Sequence, residues 1–94
     1  MNILSIRAYL DSKGLDCSLD GYRYLIDLIQ YAYFHPSAKL DEVSSVVALK
    51  YRVNAECIRG NVRYLLRNSS DSNCTSKLKN FLRTAVYDLA EIAP

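Results

Sequence analysis

The sequence predicts an all-α fold, a small helical bundle containing a helix-turn-helix. Three observations carry this. Apolar residues recur at spacings of three and four along most of the chain, the pattern of amphipathic helices. Around Val46-Val47, which would also suit a strand, no period-two alternation is present. Two helical patterns, 38–51 and 54–68, are separated only by Arg52-Val53, a break of the length that joins the two helices of this motif. Ninety-four residues predict one domain, spanning 1–94, with a self-sufficient core, and two prolines and three glycines leave little room for many turns.

The elements follow in chain order. In the first, Ile3, Ile6 and Leu10 share a face, and Gly14 suits the left-handed residue that ends a helix. The second begins at Asp20-Gly21, with Asp20 as its expected N-cap. Its apolar face is Tyr22, Leu25, Ile29 and Ala32 or Tyr33, and His35-Pro36 stops it, because a residue before proline avoids helical angles. The third runs from Ala38 to Tyr51 through Leu40, Val43 and Val47, with Ser37 as the expected cap. Asn54 caps the fourth, over 54–68, where Ala55, Ile58, Val62, Leu65 and Leu66 gather on one side. A polar linker at 68–73 follows. Thr75 or Ser76 caps a last helix, 76–92, striped by Leu78, Phe81, Leu82, Val86, Leu89 and Ile92.

Composition excludes several classes. No stretch approaches the roughly 20 apolar residues of a membrane span, and the N-terminus lacks the charged-then-apolar order of a signal peptide, so a cytoplasmic location is expected. Cys17, Cys57 and Cys74 are far apart, no C-x-x-C pair exists, and His35 is the only histidine, so neither a structural metal nor a cofactor is expected. Asp41 and Glu42 are helix neighbours that point apart, and nothing pairs a nucleophile with a base, so no enzyme is expected.

The net charge of +2 is unevenly spread. Residues 50–67 hold Lys50, Arg52, Arg59, Arg63 and Arg67 against Glu56, a local excess of +4. Residues 11–27 hold Lys13 and Arg23 against Asp11, Asp16, Asp20 and Asp27, a local −2. On a wheel of 54–68, Arg59, Arg63, Arg67 and Glu56 share an arc beside the apolar one, with Gly60 at its edge. Arginine binds a phosphate or a guanine edge through two hydrogen bonds, so the stripe points to nucleic acid; a solvated helix face is the plain alternative. Glu56 either accepts from cytosine or favours the helix dipole and pairs with a nearby arginine. Gly60, costly inside a helix, reflects either a close backbone approach or a tolerated defect. Eight tyrosines are many for this length. Most sit on or beside apolar stripes, core with the hydroxyl at the rim; Tyr64 points away from the core.

Two stretches resemble the C-terminal DNA-binding domain of stage zero sporulation protein A, a family of sporulation regulators. The first is Gly14-Leu15-Asp16-Cys17-Ser18-Leu19-Asp20-Gly21-Tyr22-Arg23-Tyr24-Leu25, similar to the family's glycine, six residues, then Gly-Tyr-x-Tyr-Leu. The second is Val47-Ala48-Leu49-Lys50-Tyr51, similar to Ile-Ala-Lys-Lys-Phe, followed by Ile58, Val62 and Arg63 where the family has Val-Glu-Arg-Ala-Ile-Arg. The resemblance implies a helical effector domain that binds DNA in tandem and controls transcription. In the family a receiver domain precedes it; this chain resembles either an excised effector domain or a stand-alone one. Arg63 keeps the family's residue. Arg59-Gly60 replaces base-reading Glu-Arg, Cys57 replaces an arginine, Ser44-Ser45 replaces Tyr-Pro, and one family helix is reduced to the 68–75 loop.

The expected partner is therefore double-stranded DNA. Arg59 and Arg63 read bases or clamp phosphates, Asn54, Glu56, Gly60 and Asn61 tune the fit, and Lys50, Arg52 and Arg67 hold the backbone. The alternative is a protein-interaction module that pairs with itself, as a homodimer, or with a related regulator through Leu78, Leu82, Val86 and Leu89 of the last helix.

Overall fold

Apolar residues at helical spacing have one way to leave water together, and the chain takes it with five helices. A computed structural model describes residues 2–71, 74–75 and 77–92. The helices are α1 (Ile3–Ser12), α2 (Asp20–Phe34), α3 (Leu40–Tyr51), α4 (Ala55–Arg67) and α5 (Leu78–Ile92). Among the described residues there is no strand, so the all-helical expectation holds.

The helix ends explain the boundaries. Asn2 caps α1, its Oδ1 accepting from the Leu4 amide at 2.8 Å. Gly14 follows α1 at φ 71°, the left-handed region that glycine enters without strain. Its amide donates to the Asp11 carbonyl at 3.0 Å, and that of Leu15 to Leu10 at 3.3 Å, closing the helix. Asp20 is not a cap: Leu19 is the cap residue, without a side-chain bond, and Asp20 opens the first turn, paired with Arg23 at 3.1 Å. The turn before it is organised by Asp16, which accepts from the Ser18 amide and hydroxyl at 2.9 and 2.7 Å. Those bonds hold the Asp16 carboxyl below its usual range, the hydroxyl contact contributing most. Nor do Ala38 and Ser37 start α3. The His35–Ala38 turn after Pro36, closed by Ala38 N–H to His35 O at 2.9 Å, delays the helix to Leu40, with Lys39 at the cap position. Thr75 accepts from the Lys77 amide at 3.2 Å just ahead of α5; Ser76, the other expected cap, lies outside the described residues.

The core draws on every helix. Ile6 and Leu10 come from α1, Leu25, Leu28 and Ile29 from α2, Val43 and Val47 from α3, Ile58, Val62, Leu65 and Leu66 from α4, and Leu78, Phe81, Ala85 and Leu89 from α5. Ile3, expected in the α1 stripe, is exposed instead. The Ile92 side chain lies outside those described. Ser44 is fully buried in this apolar setting, its Oγ without a hydrogen-bond partner among the described residues. The 68–71 segment is anchored: Ser70 N–H donates to Gly14 O at 3.0 Å, and the Ser69 hydroxyl to Lys13 O.

α2 and α4 cross at backbone distance. A Cβ built on Gly21 would lie 2.4 Å from the Asn61 carbonyl oxygen, inside any tolerated contact. One built on Gly60 meets nothing within 4 Å. The two glycines therefore predict opposite outcomes. Gly21→Ala should destabilise by about 1–3 kcal/mol, since backbone rather than a flexible side chain must shift. Gly60→Ala should stabilise by up to about 1 kcal/mol, because only helix propensity changes. Urea melts of both variants check this; equal effects would contradict the crossing.

Candidate functional site

Three residues, 52–54, set how α4 leaves α3. Arg52 ends α3 at φ 57° and ψ 41°, left-handed, a conformation uncommon outside glycine. Its amide donates to the Ala48 and Leu49 carbonyls, and that of Val53 to Ala48 O at 3.1 Å. Asn54 then caps α4, its Oδ1 accepting from Cys57 N–H at 2.7 Å. Both helix ends are thus closed within the connection, and the Asn54 side chain is occupied by its own helix.

α4 buries Ile58, Val62, Leu65 and Leu66 and turns the opposite side to solvent. On that side stand Glu56, Gly60, Arg63 and Arg67, all exposed, with Tyr64 beside them at 53% exposure. Arg52 is exposed at the N-terminal end of α4. Among the described residues, Arg52, Arg63 and Arg67 form no ion pair.

Other expected contact residues are committed elsewhere. Arg59 is folded down, its side chain only 17% exposed, between Glu56 and Asp41. Its Nε donates to Glu56 Oε1 at 3.2 Å and its Nη1 to Asp41 at 3.4 Å. These contacts lower the Glu56 carboxyl pKa, the Arg59 hydrogen bond most and its charge next, and raise that of the guanidinium. Glu56 is therefore the partner of an arginine, one of the two roles read for it. Lys50 pairs with Asp27 of α2 at 2.9 Å and lies 5.4 Å from the Tyr51 ring centre, so it belongs to the α2–α3 seam. Asn61 is half-buried where α2 crosses, and its Nδ2 donates to Cys57 O at 2.8 Å. The geometry thus brings Arg63, Arg67 and Gly60 onto one face with the Glu56–Arg59 pair, and sets Lys50 and Asn61 apart from it.

The residues expected to meet a partner on the last helix pack mostly within this chain. Leu78, Leu82 and Leu89 lie in this chain's own core, and Val86 is half-buried against it. Leu78, Leu82 and Leu89 are spent on folding α5 onto the bundle, and Val86 keeps part of its surface open.

Sequence reasoning missed what the aspartates do. Tyr22 donates to Asp11 at 2.8 Å, joining α2 to α1, and Tyr9 donates to Asp88 at 2.8 Å, joining α1 to α5. Tyr51 donates to Asp27, joining α3 to α2. The signal was present as an acidic 11–27 segment in a tyrosine-rich chain, but charge counting assigns no partners. Tyr87, expected beside the core, is 65% exposed. Cys17 is exposed, Cys57 and Cys74 are half-buried, all three are free thiols, and burial pushes the Cys74 thiol up. No described helix is long and apolar enough to cross a membrane. Compared with known protein families, with characterised proteins and with solved structures, the chain matches none.

The phenols carry a pH dependence. Burial, then the aspartate hydrogen bond, then its charge push Tyr22 and Tyr51 up to about 12, and Tyr9 rises for the same reasons. In the unfolded chain they ionise near about 10. The native state holds the proton longer, so this stabilisation is complete below about pH 10 and is lost as pH rises through 12. Melting temperature should fall over that window, with these phenols ionising only as the chain unfolds. Tyr51→Phe should reduce the alkaline loss while costing about 1 kcal/mol at neutral pH. Thermal melts across alkaline pH, with tyrosinate absorbance, check both.

Proposed function

We propose that this chain binds duplex DNA through a helix-turn-helix, with α3 across the phosphate backbone and α4 in the major groove. The observation that carries the reading is the solvent face of α4. Gly60, Arg63 and Arg67 follow one another at helical spacing there, the arginines without an acidic partner among the described residues. Arg63 is assigned the base edge or a central phosphate, Arg52 and Arg67 the flanking phosphates. Gly60 carries no side chain, and a Cβ there would meet nothing within 4 Å among the described residues, so DNA can approach the helix backbone closely at that point. The Glu56–Arg59–Asp41 set holds the first turns of α3 and α4 together and stiffens the reading helix rather than reading. The three-residue connection, closed by left-handed Arg52 and by Asn54, supports the motif. The resemblance of 14–25 and 47–63 to the sporulation effector domain supports transcription control as the setting.

Fluorescence anisotropy with labelled duplexes at about 50 and 200 mM salt tests this, the range in which several phosphate contacts show as a steep loss of affinity. The wild-type chain should bind and weaken steeply with salt. Arg63→Ala should weaken binding by about 1–3 kcal/mol. Lys50→Ala should leave DNA affinity nearly unchanged, because Asp27 already holds that ammonium. An Arg63→Ala variant that binds as tightly as wild type would remove α4 from the interface.

A further inference from the structure

On another side of the bundle, the outward stripe of α5 faces the 35–43 segment across an open groove of about 960 Å³. Its apolar lining is Leu40 on one wall and Val86 on the other, both half-buried, with the core residues Val43 and Leu82 beneath them. Tyr87 stands on the α5 wall, 65% exposed. The rim is cationic: Lys39, Lys79 and Arg83 are exposed, and none forms an ion pair among the described residues. Asp41, the carboxylate lining the groove, is already held by Arg59 at 3.4 Å. A smaller cleft of about 300 Å³ between α2 and α3 has exposed Phe34 beside it, but its charges, Lys50 and Asp27, are paired with each other.

We propose that the α5 groove binds an acidic amphipathic segment of a protein partner, its bulky apolar side chains against Leu40, Val86 and Tyr87 and its carboxylates on Lys39, Lys79 and Arg83. Two features select this occupant. The uncompensated rim charge calls for anions. The apolar floor calls for side chains that leave water, which a phosphate backbone does not supply. A second copy of this chain offers a poorer match. Its exposed acidic segment, Asp16-Cys17-Ser18-Leu19-Asp20, has one bulky apolar residue, Leu19, and that is half-buried against its own core. The groove shares no residue with the α4 face, so the two surfaces can be varied independently.

The test is selection of random displayed peptides against the full chain, followed by binding of the enriched peptides to variants. Enriched peptides should interleave carboxylates with bulky apolar residues and perturb amide resonances of 35–43 and of 79–90. Lys79→Glu with Arg83→Glu, both exposed, should weaken them by about tenfold or more and leave duplex affinity unchanged. Tyr87→Ala, a neutral change at an exposed position, provides the same reading if the double reversal disturbs the fold. The proposal is overturned if no peptide is enriched, if those enriched lack acidic residues, or if they bind the variants as tightly as wild type. It is equally overturned if the double variant loses duplex binding while peptides still bind, which makes nucleic acid the occupant. Concentration-dependent dimerisation that the double variant abolishes would make it a second copy.

Discussion

The crossing of α2 over α4 at Gly21 is the constraint on which the rest of this structure depends. Helix axes ordinarily pack about 8–10 Å apart because side chains fill the space between them. Here the Asn61 carbonyl takes the place a Cβ would occupy, so the two backbones meet almost directly. That contact sets the rotation of α4 about its own axis. With Asn61 against α2, Ile58, Val62, Leu65 and Leu66 enter the shared core, and Gly60, Arg63 and Arg67 have only solvent to face. The arginine face is thus a consequence of a glycine on a different helix.

Around this crossing the helices are tied at their edges by phenol–carboxylate hydrogen bonds. Tyr22 to Asp11, Tyr51 to Asp27 and Tyr9 to Asp88 each join two helices, and each ring contributes apolar area while its hydroxyl reaches the rim. The geometry explains two compositional oddities at once, the abundance of tyrosine and the acidic 11–27 segment. Those aspartates are acceptors for the fold: Asp11 and Asp27 take phenols, Asp16 organises a turn, and Asp20 pairs with Arg23. The segment therefore needs no cationic ligand to account for it.

What the sequence revealed follows from how local the determining physics is. The apolar stripe of α4 and the Asn54 cap were legible because helical period and capping act within one turn. So was the left-handed Gly14. The starts of α2 and α3 were misread because hydroxyl and carboxylate side chains also serve turns: Asp16 organises the one before α2, and the turn after Pro36 postpones α3. The stripe on α5 was given to a partner for a deeper reason. An amphipathic stripe states that a face will be buried, not whether its own chain or another molecule buries it. Long-range pairs such as Lys50–Asp27 and Arg59–Asp41 were invisible, since they require the packing angle of helices that the sequence lists far apart.

That last point governs how the basic residues should be read. A charge count over 50–67 treats Lys50, Arg52, Arg59, Arg63 and Arg67 as equals. The fold sorts them by whether they form an ion pair among the described residues. Asp27 and Asp41, presented by α2 and α3, take Lys50 and Arg59 out of the set, and Arg52, Arg63 and Arg67 are left. The same sorting leaves Lys39, Lys79 and Arg83 around the α5 groove. Asp41 stands between the two groups, lining the groove while bound to an arginine of α4. Arg59 offsets part of that carboxylate's repulsion of an anion at the groove, and is itself drawn away from the solvent face of α4. Two cationic surfaces of different character remain, one flanked by an open helix backbone on α4 and one lined by apolar side chains beside α5.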